Sequence, residues 1–224
     1  MVIGISARNV YINQKKKKFV NETYLIFCKK YNLVPLLIFK DNFHYLKDLC
    51  DGYLLVGGDD LDPKLYNEKN TSSINIDQEI DELDYLIIKN AIETKKPFLG
   101  ICRGLQAMNT YLKGSLFQNI DEIHYHNNKT FLNIKNSRFF AFLNNKTIMI
   151  NSYHHQGIKT IGKDLLYTGV SDGIIELIEH KSLPLIGMQF HPELLNTEEI
   201  EEMMRVFIDL MEEYHEGSRN KKNY

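Results

Sequence analysis

The fold is decided by residues 97–109, which read PFLGICRGLQAMN. The segment begins as a short apolar run behind a proline, which is typical of a buried β-strand, and a helical pattern starts at Leu105. Between the two lies Cys102, with Gly100 two residues before it and Gly104 two residues after it. A tight turn from strand to helix needs small neighbours and exposes the side chain at its apex. The free amides of the helix start favour a thiolate there, so the pattern predicts a nucleophilic cysteine.

The composition sets broad limits on fold and compartment. A chain of 224 residues is long enough for one α/β domain, and its hydrophobic fraction of 43% is ordinary for a globular protein. A net charge of −2 predicts no bulk attraction to nucleic acid or to a membrane surface. The three cysteines lack C-x-x-C spacing, which argues against a zinc site. Three cysteines are also a poor number for a secreted disulfide scaffold. Without a signal peptide or a membrane-spanning apolar run, the chain is expected to be cytoplasmic.

Strand and helix patterns alternate along the first half of the chain. Strands are predicted at residues 2–6, 33–39, 52–56 and 97–101, and helices at residues 19–31, 42–49, 77–94 and 105–112. Residues 8–18 are predicted to be a polar surface loop. The alternation predicts an α/β fold with a mostly parallel central sheet and helices on both faces.

The second half is richer in strand patterns. Short runs at residues 130–134, 147–150, 165–170, 174–179 and 185–190 predict a small antiparallel layer, with a hairpin turn at residues 171–173. A last helix is predicted to begin after Thr197. We expect a single domain over residues 1–216 and a flexible tail over residues 217–224.

A second dense stretch, residues 188–193, reads MQFHPE. Residues i and i+2 of an extended segment point to the same side, so His191 and Glu193 share a side. An imidazole there is suited to take the proton of Cys102, and a carboxylate to fix its tautomer. The alternatives are a structural histidine at a strand end and a core cysteine. The Gly57–Gly58 pair also follows a predicted strand, and ligands of parallel sheets bind beyond such strand ends.

Five motifs together resemble a known family. GICRGLQ at residues 100–106 and QFHPE at residues 189–193 resemble the class I glutamine amidotransferases. GGDDLDP at residues 57–63, NSYHHQ at residues 151–156 and SDGIIE at residues 171–176 are similar to the γ-glutamyl hydrolase branch, the peptidase C26-like proteins. That branch includes γ-glutamyl-γ-aminobutyrate hydrolase. The resemblance spans nearly the whole chain and implies a flavodoxin-like sheet.

The resemblance implies a role for each matching residue. Cys102 is the nucleophile, His191 is the base and Glu193 is its partner. The backbone amides of Gly58 and Arg103 form the oxyanion hole. The residues implied to surround the glutamyl head group are Gly57, Gln106, Tyr153, His154 and His155. Both of these histidines are alternatively explained as turn-stabilising residues. The reaction that the resemblance implies needs no metal or organic cofactor. His124 and His126 are spaced like metal ligands, but no third ligand is evident in the sequence, so a metal site is not expected.

The implied reaction is hydrolysis of a γ-glutamyl amide through a glutamyl thioester, which releases glutamate and an amine. Candidate substrates are γ-glutamyl-γ-aminobutyrate, another γ-glutamyl amine, or a γ-glutamyl nucleotide phosphoramidate. Two alternatives are a glutaminase subunit that delivers ammonia to a synthetase partner and a binding module with a decayed site. The motifs at residues 57–63 and 151–156 favour the hydrolase, and the intact triad argues against the binding module. A small-molecule partner is expected, with no nucleic acid or membrane, and a homodimer is compatible with the sequence.

Overall fold

Five parallel strands form one side of the main sheet, which has nine strands within the described part of the chain. The computed structural model describes residues 1–120, 129–131, 137–139, 142–143 and 147–222. The parallel strands are β1 (Val2–Ser6), β4 (Val34–Ile38), β5 (Gly52–Leu55), β6 (Phe98–Ile101) and β13 (Leu185–Met188). They lie in the order β4-β1-β5-β6-β13, with β4 at the edge of the sheet. This arrangement confirms the α/β prediction.

Antiparallel strands extend the same sheet from β13 outward. They are, in order, β12 (Ile174–His180), β11 (Leu165–Ser171), β8 (Lys129–Phe131) and β9 (Thr147–Met149). Strands β11 and β12 form the hairpin predicted at residues 171–173. The predicted antiparallel strands therefore largely continue the main sheet. A separate small sheet pairs β7 (Ser115–Phe117) with β10 (Gly157–Thr160).

Helices cover both faces of the sheet because successive strand residues point to opposite sides. In β5, Leu54 belongs to one apolar cluster while Tyr53 and Leu55 belong to the other. The first cluster includes side chains of α1 (Glu22–Lys30) and α5 (Glu198–Lys222), and the second includes those of α2 (Lys40–Leu46), α3 (Gln78–Thr94) and α4 (Arg103–Tyr111). Short 3-10 helices occupy Lys47–Leu49, Pro63–Tyr66 and Pro192–Leu194.

The prediction of a loop over residues 8–18 is wrong. The segment forms an antiparallel hairpin of β2 (Arg8–Ile12) and β3 (Lys15–Phe19). Asn13 and Gln14 turn the chain with φ of 51° and 60°, and Lys16 and Lys18 form ion pairs with Glu79 at the start of α3. A run of four lysines carries no apolar alternation, so its strand character depends on charged partners that are distant along the chain.

The last helix also differs from its predicted boundary. Helix α5 continues through Lys222 and therefore includes most of the segment predicted to be a tail from Gly217 onward. None of the helices within the described ranges is both long and apolar enough to cross a membrane.

The order of the three central strands positions the candidate site. Strand β6 lies between β5 and β13, with Leu55 beside Gly100 and Met188 beside Ile101. Because these strands are parallel, their carboxyl ends meet at one edge of the sheet. The residues that follow them, including Gly57, Cys102 and His191, are thereby brought to the same rim.

Candidate active site

Cys102 occupies a strained turn between β6 and α4. Its backbone has φ 51° and ψ −104°, a conformation unusual for a residue with a side chain. Its amide donates to the carbonyl oxygen of Met188 at 2.7 Å, which ties the turn to β13. A Cβ added to Gly100 would lie 2.6 Å from the carbonyl carbon of Gly104. The two glycines therefore let strand and helix approach closely, as the sequence predicts for an elbow that presents its cysteine.

The structure brings the three predicted triad residues together. His191 interacts electrostatically with Cys102 and lowers the pKa of its thiol, and Nδ1 of His191 lies 2.7 Å from Oε1 of Glu193. Since a carboxylate accepts hydrogen bonds, Nδ1 of His191 carries a proton. Nε2 is therefore the nitrogen that can exchange a proton with the sulphur of Cys102. The arrangement has the order of nucleophile, imidazole and orienting carboxylate that acyl-transfer sites use.

The electrostatics favour charge separation between thiol and imidazole. Burial by itself raises the pKa of Cys102, but hydrogen bonding to His191, the charges of His191 and His154, and the amide of Arg103 bring that pKa below its ordinary value. Burial lowers the pKa of His191, yet its bonds to Cys102 and Glu193 outweigh this effect and raise the pKa to about 10. Both shifts favour the thiolate form of Cys102 and the imidazolium form of His191.

Asn151 fixes the backbone of the histidine. Its side-chain oxygen accepts the His191 amide at 2.8 Å, and its nitrogen donates to the His191 carbonyl at 2.9 Å. These two hydrogen bonds fix the backbone of His191, which follows the end of β13. Asn151 belongs to the NSYHHQ motif, but sequence reasoning assigned it no role.

Two glutamines form a buried chain that ends at the sulphur. The side chain of Gln106 donates to Gln189 at 3.2 Å and to the carbonyl of Gln156 at 3.3 Å. Gln189 in turn donates to the sulphur of Cys102 at 3.5 Å. Sequence reasoning assigned no role to Gln189, although it is the first residue of the QFHPE motif.

Tyr24 on α1 contacts the loop that contains Gly57 and Gly58. Its hydroxyl accepts the amide of Gly57 at 3.1 Å. Burial and the charge of Glu193 raise the pKa of the Tyr24 phenol, so the hydroxyl stays protonated. A Cβ on Gly57 would lie 3.0 Å from Cε1 of His191, which shows how closely the loop packs on the imidazole. Nothing in the local sequence indicated this role for a tyrosine on α1.

The other predicted substrate residues occupy different positions. Tyr153 is 67% exposed, and its ring packs edge-on against His191 with centroids 5.8 Å apart. His155 faces Asp60, with Nε2 at 2.9 Å from Oδ1. His154 is buried, and its two ring nitrogens lie 2.8 Å from the carbonyl of Gln156 and 3.4 Å from a carboxylate oxygen of Glu176. His154 and His155 thus lie beside separate carboxylates, whereas Tyr153 contacts the ring of His191.

A cavity of about 470 Å³ opens at the rim. His191, Glu193, Gly57, Gly58 and Tyr153 contribute to its lining, together with α1 and the β2–β3 hairpin. Cys102 is 7% exposed and does not line it directly. Within the described ranges no group of three or more His, Cys, Asp or Glu side chains is arranged to hold a metal ion. His124 and His126 lie outside those ranges.

Comparison with known proteins identifies the family. The model of the family described as Peptidase C26 matches residues 1–193. The chain belongs to the peptidase C26 family. This match confirms the resemblance drawn from the five motifs and supports a hydrolase.

Individual relatives of this C26 protein agree with that membership. The glutamine amidotransferase-like protein YvdE of Lactococcus lactis is 33% identical over 172 residues, which cover 68% of this chain and 70% of the relative. The γ-glutamyl-CDP-amidate hydrolase of Campylobacter jejuni is 26% identical over 223 residues, covering 95% and 100%. A solved structure from Thermoplasma acidophilum, described as a GMP synthase subunit, superposes with a TM-score of 0.73 at 20% identity and covers 98% of both chains. At that identity the last comparison supports the fold alone.

Proposed function

We propose that this C26 protein hydrolyses a γ-glutamyl amide bond through a glutamyl thioester on Cys102. The observation that carries the proposal is the placement of His191 beside Cys102 and Glu193, whose Oε1 lies 2.7 Å from Nδ1 of the imidazole. The pKa of Cys102 is lowered there and the pKa of His191 is raised. A thiolate at the start of a helix, beside a general acid, is equipped for acyl transfer. The similarity of the full chain to a γ-glutamyl-CDP-amidate hydrolase supports the choice of acyl group.

In the first half-reaction the sulphur of Cys102 attacks the γ-carbonyl carbon of the substrate. The carbonyl oxygen becomes an oxyanion, for which the backbone amides of Gly58 and Arg103 are the proposed donors. The imidazolium of His191 gives its Nε2 proton to the leaving nitrogen as the C–N bond breaks. Glutamyl thioester and free amine result, and Glu193 keeps the neutral imidazole in the tautomer that accepts the next proton.

In the second half-reaction a water molecule replaces the amine. His191, now neutral, removes a proton from the water as its oxygen attacks the thioester carbonyl. The C–S bond breaks, glutamate is released, and the thiolate–imidazolium pair is restored. Together the two half-reactions convert one amide and one water molecule into glutamate and an amine. They require no oxidant or reductant.

The leaving group defines the substrate class. The proposed glutamyl-binding residues are Gly57, Gln106, Tyr153, His154 and His155, of which Tyr153 and Gly57 line the rim cavity. The leaving groups to test are γ-aminobutyrate, other primary amines and a nucleotide phosphoramidate. The last is motivated by the name of the Campylobacter relative. A second candidate is a glutaminase subunit serving a synthetase, which is motivated by the glutamine amidotransferase-like name of the Lactococcus relative.

The test is glutamate release from glutamine and from a panel of γ-glutamyl amides and phosphoramidates. We expect turnover of at least one γ-glutamyl amide by the protein alone, and Cys102→Ala to lower it by about 10⁴-fold or more. Cys28→Ala is the matched control, because Cys28 is a buried free thiol whose pKa is raised by burial to about 12. Glutamine turnover that appears only with an added synthetase would favour the glutaminase alternative. Equal turnover by Cys102→Ala and the parent would refute the mechanism.

A further inference from the structure

Arg8, the first residue of β2, binds the backbone of the loop that contains Gly57 and Gly58. Its side chain is nearly buried, and Nε donates to the carbonyl oxygen of Gly57 at 2.9 Å. A terminal nitrogen of the same guanidinium donates to the carbonyl oxygen of Val56. Two successive peptide carbonyls at the end of β5 are therefore bound by one rigid, charged fork.

The bond to Gly57 acts directly on the amide of Gly58. The carbonyl of Gly57 and the N–H of Gly58 belong to one planar peptide unit, in which the two groups point in opposite directions. Fixing the oxygen on Arg8 therefore fixes the direction of the Gly58 N–H, and the positive charge polarises that N–H as a donor. A Cβ on Gly58 would lie 2.9 Å from Nε of Arg8 and 3.2 Å from Cδ of Arg103, so Gly58 lies between both arginines.

Asp84 on α3 joins the two arginines. Its side chain is 0% exposed, and one oxygen accepts from Arg8 at 3.0 Å while the other accepts from Arg103. Arg103 also donates to Asp81 at 2.5 Å. The backbone amide of Arg103 directly follows Cys102 and helps to lower the pKa of its thiol. One buried carboxylate thus connects the peptide that carries the Gly58 amide to the residue that carries the second amide.

We propose that Arg8 and Asp84 are positioning residues that hold the amides of Gly58 and Arg103 in the geometry needed to bind an oxyanion. The inference rests on the proposed function in taking those two amides as the donors. Buried ion clusters add little net stability over well-packed apolar residues. Donors fixed before the reaction begins are, in contrast, what lowers the barrier of acyl transfer.

Two rates at Cys102 separate positioning from a merely structural role. Acylation by p-nitrophenyl acetate develops negative charge on a carbonyl oxygen, whereas alkylation by iodoacetamide requires the thiolate alone. For Arg8→Lys, which keeps the charge but loses the fork, we expect acylation to slow by about 10- to 100-fold. Alkylation should change by less than about threefold, because the thiolate is untouched. Rates of Cys102→Ala, subtracted from each, remove the contribution of Cys28 and Cys50.

Arg138→Lys is the matched control. Arg138 also joins a buried carboxylate, that of Glu179 at 3.1 Å, to two backbone carbonyls, those of His180 and Leu183 at 2.8 and 2.7 Å. These contacts lie just before β13 begins, at the opposite edge of the sheet from the site. Arg138→Lys should leave both rates within about threefold of the parent.

A parallel fall of acylation and alkylation in Arg8→Lys, or unchanged acylation, would overturn the inference. If Arg8→Lys does not fold, Asp84→Asn carries the same test, since it weakens both arginine contacts without removing either guanidinium. Loss of acylation in these variants, in a parent that hydrolyses no γ-glutamyl compound, would contradict the proposed substrate and leave the positioning role in place.

Discussion

Replacing Gly104 by alanine tests how the elbow depends on close packing. Gly104 lies in the first turn of α4, and a Cβ there would be 2.4 Å from the carbonyl oxygen of Leu55 and 2.8 Å from its Cβ. Cβ atoms essentially never approach other heavy atoms closer than 3.0 Å, so the contact is about 0.6 Å too short. The obstacle is backbone of β5, which cannot rotate away, and α4 must therefore move.

The displacement affects both stability and chemistry. Overpacking of this kind costs about 1–3 kcal/mol, which should lower the free energy of unfolding accordingly. Helix α4 begins directly after Cys102, so its movement also shifts the sulphur and the amide of Arg103 relative to His191. Misplacement by about 1 Å can cost about 100-fold in rate, and we expect turnover to fall by about 10- to 100-fold.

The assay compares Gly104→Ala with Gly217→Ala. Both glycines lie in helices, but a Cβ on Gly217 would meet nothing within 4 Å. Alanine should therefore stabilise the second helix by up to about 1 kcal/mol and leave turnover unchanged. Urea unfolding gives the stabilities, and glutamate release gives the turnover. If Gly104→Ala unfolds at the parent's urea concentration and retains full turnover, the contact with Leu55 does not limit the elbow.

Two further predictions concern the surroundings of His191. Tyr24→Phe removes the hydroxyl that accepts the amide of Gly57; a neutral hydrogen bond contributes about 0.5–1.5 kcal/mol, so turnover should fall by about 2- to 10-fold. Tyr53→Phe is its control, since that buried hydroxyl binds Asn90 at 2.7 Å on the other face of the sheet; an equal loss in both variants would contradict a specific role for Tyr24. Glu193→Gln should move the basic limb of the pH–rate profile to lower pH, because a neutral amide stabilises the imidazolium of His191 less and the pKa falls from about 10. An unshifted limb would show that Glu193 does not support that charge.

Local patterns explain why so much could be predicted from the chain alone. The buried strand at residues 98–101 and the helix after it carry their periodicity in consecutive residues, and the glycines at 100 and 104 mark the turn. His191 and Glu193 meet as predicted, but Glu193 lies in the 3-10 helix Pro192–Leu194, so the alternation of an extended segment is not what brings them together. The lysine hairpin was missed because its partner, Glu79, lies some sixty residues away.

The sequence alone therefore determined the family, the parallel sheet and the three residues proposed for the triad, since these depend on short stretches with characteristic local geometry. Tertiary structure alone decided which side chains surround them. Arg8, Tyr24 and Asp84 come from three different elements, and no spacing along the chain relates them to Cys102. They meet because β5, β6 and β13 end at one edge of the sheet. A buried charge or hydroxyl at that edge must be hydrogen-bonded, and the residues available to it come from the elements that pack there.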